Sequence, residues 1–227
     1  LQRKLISTIA AAAMTFTGLS AQACTSFLLK AQNGEFVYGR TLEFALMLNS
    51  QIIVMPRGYE NKGVGPDGKA GSGLVYKAKY AATGMNALAL PVVVDGINEK
   101  GLAAGMFFFP NLARFQDVPR EEAANSIASY ELVNYILTQF ATIDEVKAGI
   151  RKIKVNNAEL AVFNGAAPVH YSVHDAAGNT IAIEYINGQL QVTDNPTGVM
   201  TNAPSIQWHL DSLSMYATST PAPVPPF

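Results

Sequence analysis

One cysteine occurs in the 227 residues, and its position limits what the rest of the chain can be for. Cys24 directly follows Ala21-Gln22-Ala23, a small-x-small pattern of the kind signal peptidase cuts. Arg3 and Lys4 give a short basic start, and residues 5–19 are apolar, Ala-rich and free of charge. That run is shorter than the roughly 20 apolar residues of a membrane-spanning helix. The three-part pattern predicts a signal peptide over residues 1–23 and a mature protein exported to the periplasm or secreted by a bacterium. Cleavage after Ala23 leaves Cys24 as the first residue, with a thiol and a free α-amine together. A lone cysteine is most often a small buried hydrophobe, but this one has a nucleophile and a base on the same residue. An unperturbed α-amine titrates at about 7.7–8.0, in the working range of a general base. The same logic serves N-terminal threonine nucleophiles. The rival reading is lipidation of Cys24, which would anchor the protein to a membrane and block the thiol. Lipoprotein leaders usually place Leu three residues before the cysteine, where this chain has Ala21.

Composition removes several other classes. With 49% apolar and 15% charged residues the chain suits a soluble globular protein with a large core. A net charge of −1 and the lack of a Lys/Arg-rich run argue against a nucleic-acid partner. A single cysteine excludes an internal disulfide, even in an oxidising compartment. No stable membrane insertion is expected once the leader is gone. The residues after 218, rich in Pro, do not read as a packed terminus, so the domain over residues 24–227 is expected to be incomplete at its C-terminus.

Strand patterns dominate the first half. Residues 25–29 alternate, Asn33-Gly34 signals a two-residue hairpin turn, and residues 35–40 form the return strand. Further strands are predicted at residues 51–55, 75–82, 89–94 and 102–109, with the Gly- and Lys-rich stretch 58–73 as a surface loop. Residues 126–140 carry apolar side chains at helical spacing, and Thr142-Ile143-Asp144-Glu145 reads as a capping box opening a second helix to about Lys152. Strands resume at 169–174, 180–185 and 189–193, and a last helix is predicted from Ile206 to about Tyr216. Strands, then helices, then strands indicate an α+β fold with antiparallel sheets.

Four residues are candidates for chemistry. Cys24 is the nucleophile. Arg40, at the end of the hairpin's second arm, is placed to stabilise a nearby thiolate, and Glu43 to hold the α-amine. The bland alternative for that pair is a surface ion pair. Asn202, before Ala203-Pro204, has an amide that can donate into an oxyanion hole, or is a turn residue. The three histidines are His170, His174 and His209. His170 and His174 share a strand face, yet no further ligand stands at metal spacing, so a polar strand face is expected and no metal. His209, beside Trp208, is read as structural.

These residues resemble a known family. Cys24-Thr25 after a leader, Gly39-Arg40-Thr41-Leu42-Glu43-Phe44, Asp95-Gly96-Ile97-Asn98-Glu99-Lys100-Gly101-Leu102, and Thr201-Asn202-Ala203-Pro204 with Trp208-His209 are similar to the choloylglycine hydrolases. That family includes bile salt hydrolases and penicillin V acylases, within the N-terminal nucleophile hydrolase superfamily. The resemblance implies a four-layer αββα sandwich, hydrolysis of a linear amide through a thioester, and no cofactor. It implies that Cys24 attacks, that its α-amine is the base, that Arg40 tunes the thiolate and that Asn202 donates to the oxyanion. It places Glu43 where the family usually has aspartate, and the backbone N–H of Phe108 as second oxyanion donor. Phe108 stands where bile salt hydrolases usually have Asn and penicillin acylases often Tyr. A further family arginine, in a Ser-Arg-Phe motif, is expected beyond residue 227. Met106, Phe107 and Phe109 are candidates to line an acyl pocket, although such a run is more often plain core. The implied partner is a small-molecule N-acyl amide such as a conjugated bile salt, penicillin V or an N-acyl homoserine lactone. A homo-oligomer is implied by resemblance alone.

Overall fold

Two-residue alternation decides which face each strand buries, and the layers follow from it. The computed structural model describes residues 24–217, so the signal-peptide reading of residues 1–23 lies outside the described residues. In order the elements are β1 (Thr25–Lys30), β2 (Phe36–Thr41), β3 (Ile52–Met55), β4 (Glu60–Val64), β5 (Ala70–Lys77), β6 (Ala82–Met85), β7 (Asp95–Asn98), β8 (Ala103–Phe108) and β9 (Ser126–Ala128). There follow α1 (Leu132–Gln139), α2 (Ile143–Gly149), β10 (Lys154–Asn156), β11 (Glu159–Leu160), β12 (Gly165–Ala166), β13 (Val169–His174), β14 (Thr180–Ile186), β15 (Gln189–Asp194), β16 (Val199–Thr201) and α3 (Ile206–Ala217).

A seven-stranded antiparallel sheet in the order β15-β14-β13-β8-β7-β6-β3 forms the frame, and a three-stranded sheet β16-β1-β2 lies across it. Register sorts the frame's side chains. Tyr171 pairs with Met106 and Ile183, and Val173 with Ala104 and Ile181. All six join the main core with Leu132, Val133, Ile136 and Leu137 of α1 and Ile143 and Val146 of α2. The alternate residues His170, Ser172 and His174, opposite Phe107, Gly105 and Thr180, face the other way. There the smaller sheet packs, with the Tyr38 ring centroid 4.7 Å from that of His174. The fold is α+β, and among the described residues it has helix, sheet and sheet as successive layers. The outer face of the three-stranded sheet is open: Phe27, Leu29, Val37 and Val199 are 36%, 58%, 56% and 45% exposed. Helix α3 is anchored by Ile206, its one buried residue.

Several local expectations need correction. The Asn33-Gly34 hairpin has a three-residue loop, with Gly34 at φ 89° donating its N–H to Ala31 O while Ala31 N–H bonds Glu35 O. The stretch read as a loop over 58–73 is mostly the β4–β5 hairpin. Its glycines mark close backbone approach: a Cβ on Gly73 would lie 2.6 Å from Ser126 O. Residues 89–94 form no strand; Leu88 and Ala89 have positive φ, and the Asn86 side chain supplies the bonds a ladder would, to Gln51 N–H and Leu90 O. The helix expected over 126–140 begins only at Leu132. Residues 126–128 pair with β10 instead, and the Glu131 carboxylate accepts the N–H groups of Ala128 and Val64. Thr142 does cap α2, its Oγ1 accepting the Glu145 N–H at 3.2 Å. In the Asp95–Leu102 motif the chain runs as β7 to Asn98 before turning.

Asn98 joins the helical layer to the sheet. Its amide donates to Leu137 O at 2.8 Å and Phe140 O at 2.7 Å, while its oxygen accepts from Lys100 and Leu102 N–H. The side chain is buried, so every one of these groups would be orphaned by truncation. Asn98→Ala should lower stability by about 2–4 kcal/mol with an unchanged urea m-value. A loss below ~0.5 kcal/mol would show that the junction is not the strong point described.

Candidate active site

Backbone pairing on both sides fixes Cys24. The next residue, Thr25, pairs with Thr41 of β2 and Thr201 of β16, so the cysteine sits where three strand ends meet. Thr201 Oγ1 donates to Cys24 O at 2.8 Å. The thiol is 4% exposed. Its Sγ lies 3.4 Å from both the N–H and the C=O of Glu43. What Glu43 presents to the sulfur is thus its backbone; its side chain is exposed.

Beside the thiol opens an apolar pocket whose lining includes Cys24, Phe44, Met106, Phe107, Phe108 and Phe163. Three of those rings form a cluster, Phe44 standing edge-on to Phe108 and Phe163 at 6.3 and 6.0 Å and Phe108 stacked on Phe163 at 6.2 Å. Met106 and Phe107 line this pocket. Phe109 does not: it is wholly buried with its ring stacked on His170 at 4.1 Å. The strand has ended by then, and Phe109 N–H bonds Pro168 O instead of continuing the ladder.

Asn202 and Phe108 meet each other. The Phe108 N–H donates to Asn202 Oδ1 at 2.9 Å, and Ala203 N–H donates to Phe108 O at 2.9 Å. An N–H can only face the oxygen end of an amide, so this contact fixes which way Asn202 points. The Phe108 N–H expected to face an oxyanion directly is occupied by the very side chain expected to share that task.

Arg40 lies in the layer between the sheets. It donates to Asp95 Oδ2 at 3.0 Å, Met106 O at 2.9 Å, Thr41 O at 3.3 Å and Val94 O at 3.5 Å, and its guanidinium covers the Phe107 ring at 4.2 Å. No hydrogen bond joins it to the thiol among the described residues; the two share Phe107 as a neighbour. Tyr38 OH donates to the same Asp95 oxygen at 2.6 Å. Burial pushes the Asp95 carboxyl up, against the pull of Arg40, and burial pushes Tyr38 up as well. Gly105 admits this cluster, since a Cβ there would fall 2.2 Å from Asp95 Oδ2.

The histidines are structural in placement. His174 bonds Ser172 Oγ at 2.9 Å and Thr180 Oγ1 at 3.0 Å. His170 bonds Glu184 Oε1 at 2.9 Å and Thr201 O at 3.0 Å. Burial holds both imidazoles below their ordinary value, His174 at about 4. His209 keeps its Nε2 buried without a partner. Among the described residues no cluster of His, Cys, Asp and Glu has the arrangement of a metal site.

The structure thus gathers Cys24, the Glu43 backbone, Met106, Phe107, Phe108 and Asn202 at one place, and sets Arg40 one ring away. Sequence reasoning missed Asp95, Tyr38, Glu184, Phe44 and Phe163. Asp95 stood inside a motif already singled out, and a carboxylate opening an otherwise uncharged strand was its signal. Phe44 closed the Gly39–Phe44 motif already quoted, whereas Phe163, at the end of a one-turn 3₁₀ helix, gave no signal.

Comparison with known proteins bears directly on this arrangement. Residues 24–227 match the family described as linear amide C–N hydrolases, choloylglycine hydrolase family. A bile salt hydrolase/transferase of Clostridium perfringens is 29% identical over 206 residues, covering 90% of this chain and 60% of its own. A penicillin V acylase of Pectobacterium atrosepticum is 25% identical over 221 residues, covering 92% and 57%. Among solved structures, a variant of conjugated bile acid hydrolase from Clostridium perfringens superposes with a TM-score of 0.74 at 26% identity, covering 90% of this chain and 61% of that one. The penicillin V acylase of Agrobacterium tumefaciens shares the fold, with a TM-score of 0.72 at 23% identity over 86% and 57%. The chain spans about 60% of the length of these relatives.

Two outcomes follow from the buried polar layer. Asp95→Ala leaves the Arg40 guanidinium buried without its carboxylate and should cost about 3–5 kcal/mol, measured by urea unfolding; a loss within ~0.5 kcal/mol would deny that the pair matters. His174 titrates near 6.5 when unfolded but at about 4 when folded, so folding favours its neutral form. That stabilisation is complete above pH ~6.5 and is lost as pH falls toward ~4. The urea midpoint should fall across that window, and less steeply in His174→Gln; equal slopes would contradict the assignment.

Proposed function

The chain belongs to the choloylglycine hydrolase family of linear amide C–N hydrolases, and on that premise we propose that the protein is an exported hydrolase of N-acyl amides with Cys24 as nucleophile. The observation that carries this reading is the thiol at the wall of an apolar pocket, at the junction of three strand ends. Removal of the leader after Ala23 frees the α-amine. The amine takes the thiol proton as sulfur attacks the amide carbonyl, and returns it to the leaving amine as the C–N bond breaks. Water then cleaves the thioester by the reverse use of the same base. Asn202, held through its oxygen by the Phe108 N–H, is the side chain that this scheme assigns to the oxyanion. The Phe108 N–H acts in this scheme by aiming Asn202, and Arg40 by holding Phe107 and the edge of β8 in place.

The pocket also narrows the acyl group. Its lining is almost entirely hydrocarbon and aromatic, with Phe44, Phe108 and Phe163 packed around the space. A hydroxyl buried there would lose water and gain few partners, whereas an arylacetyl or alkyl chain would lose nothing. Among the candidate amides, a phenoxyacetyl or fatty acyl group therefore fits better than a polyhydroxylated bile acyl group.

The test uses the exported natural protein with a matched set of glycine or anilide amides. Cys24→Ala should abolish hydrolysis, by at least about 1,000-fold in kcat. Phenylacetyl and decanoyl amides should exceed trihydroxycholanoyl glycine by at least about 10-fold in kcat/KM. Activity surviving in Cys24→Ala would refute the nucleophile, and a preference for the hydroxylated acyl group would refute the pocket assignment.

A further inference from the structure

Behind the catalytic strand ends lies a buried acid–imidazole pair that the hydrolytic scheme does not use. His170 on β13 and Glu184 on β14 are 0% and 1% exposed. Nδ1 of His170 lies 2.9 Å from Glu184 Oε1, and Nε2 lies 3.0 Å from the Thr201 carbonyl. A carbonyl only accepts, so Nε2 carries a proton, and the Nδ1–Oε1 contact holds one more, whichever partner owns it. The same Oε1 accepts the N–H of Ile206 at 3.0 Å, at the start of the twelve-residue helix α3. An acidic group there also suits the helix dipole. The pair thus grips the chain on both sides of Asn202: at Thr201 through His170, and at Ile206 through Glu184.

Three contacts of the gripped segment lead to the site. Thr201 Oγ1 holds Cys24 O, Asn202 Oδ1 receives the Phe108 N–H, and Ala203 N–H bonds Phe108 O. The imidazole itself stacks on Phe109 and stands edge-on to Phe107 at 6.3 Å, so it also backs the β8 end. Burying two titratable groups is costly unless both are bonded, and a pair used only for stability would be readily replaced by apolar residues. We propose that His170 and Glu184 are positioning residues, which set the Thr201–Ile206 segment and through it the relation of Asn202 to Cys24. This rests on the hydrolase reading for its kinetic consequence, but not for its geometric one.

Glu184→Ala removes the grip on Ile206 and the partner of Nδ1. Glu184→Gln keeps the grip on Ile206, since its oxygen can accept that N–H; Nδ1 faces the same oxygen and is served there only when the ring carries a second proton. In the exported natural protein, with a phenylacetyl anilide, Glu184→Ala should lower kcat by about 10–100-fold while KM moves less than ~3-fold. Glu184→Gln should restore kcat to within ~3-fold. Circular dichroism at the assay temperature establishes that each variant is folded. If Glu184→Ala is not, His170→Asn takes its place: it reaches Glu184 but not Thr201 O, and the same drop in kcat is expected. The rate of Cys24 alkylation by iodoacetamide reads the geometry without any substrate, and should change by more than ~3-fold in Glu184→Ala and revert in Glu184→Gln. A folded Glu184→Ala with wild-type kcat and wild-type alkylation would overturn the proposal. If no amide is hydrolysed by the wild type, the hydrolase reading fails, and the alkylation rates alone decide the positioning role.

Discussion

The arrangement depends on how a narrow three-stranded sheet is held against the polar face of a wider one. Stacked sheets usually meet through interdigitated apolar side chains. Here the facing surfaces carry Tyr38 and Arg40 on one side and Asp95, Gly105, Ser172, His174 and Thr180 on the other. Such an interface holds only when its polar groups are bonded, because each unbonded group carries its full desolvation cost. Arg40 is the centre of that satisfaction, bonded to one carboxylate, to a backbone carbonyl of β8 and to that of Val94 just before β7. The small sheet cannot slide on the large one without breaking these bonds together.

The position of Cys24 is a consequence. The hairpin β1–β2 and the returning strand β16 end at one level, and the polar layer fixes that level relative to the end of β8. The thiol therefore meets Phe107, Phe108 and Asn202, residues more than eighty positions away in sequence, with no metal ligand or disulfide among the described residues. The layer behind the strand ends is polar and specific, while the pocket in front is apolar. That contrast suits a site which must aim a few groups and receive a water-avoiding acyl chain.

Much of this could be read from the residues alone, and the reasons differ by element. Strands β8, β13 and β14 were legible because both their faces are buried and their runs are bounded by turns. Cys24 and Asn202 were singled out from local context, the pattern of an expected leader and a Thr-Asn-Ala-Pro turn. The β4–β5 hairpin was hidden because its glycines serve close approach to β9, and composition alone cannot separate that from a loop. The start of α1 was misjudged because the Glu131 carboxylate takes the Ala128 N–H and also that of Val64, 67 residues away in sequence, while residues 126–128 pair with β10. The roles of Asp95, Phe163 and Glu184 depend on pairings across the sheets. Arg40 was expected at the thiol and stands in the inter-sheet layer, because Asp95 offers a buried charge partner there.

The central claim is that the thiol of a mature N-terminal Cys24 becomes acylated during turnover. Acid-quenched enzyme, taken in the first turnovers with a phenylacetyl amide and digested, tests it most directly by mass spectrometry of the N-terminal peptide. The account predicts a peptide beginning at Cys24 that carries one phenylacetyl group, released by hydroxylamine as a thioester is. A peptide that begins upstream of residue 24, or one that carries a lipid or no acyl group while product accumulates, would contradict it.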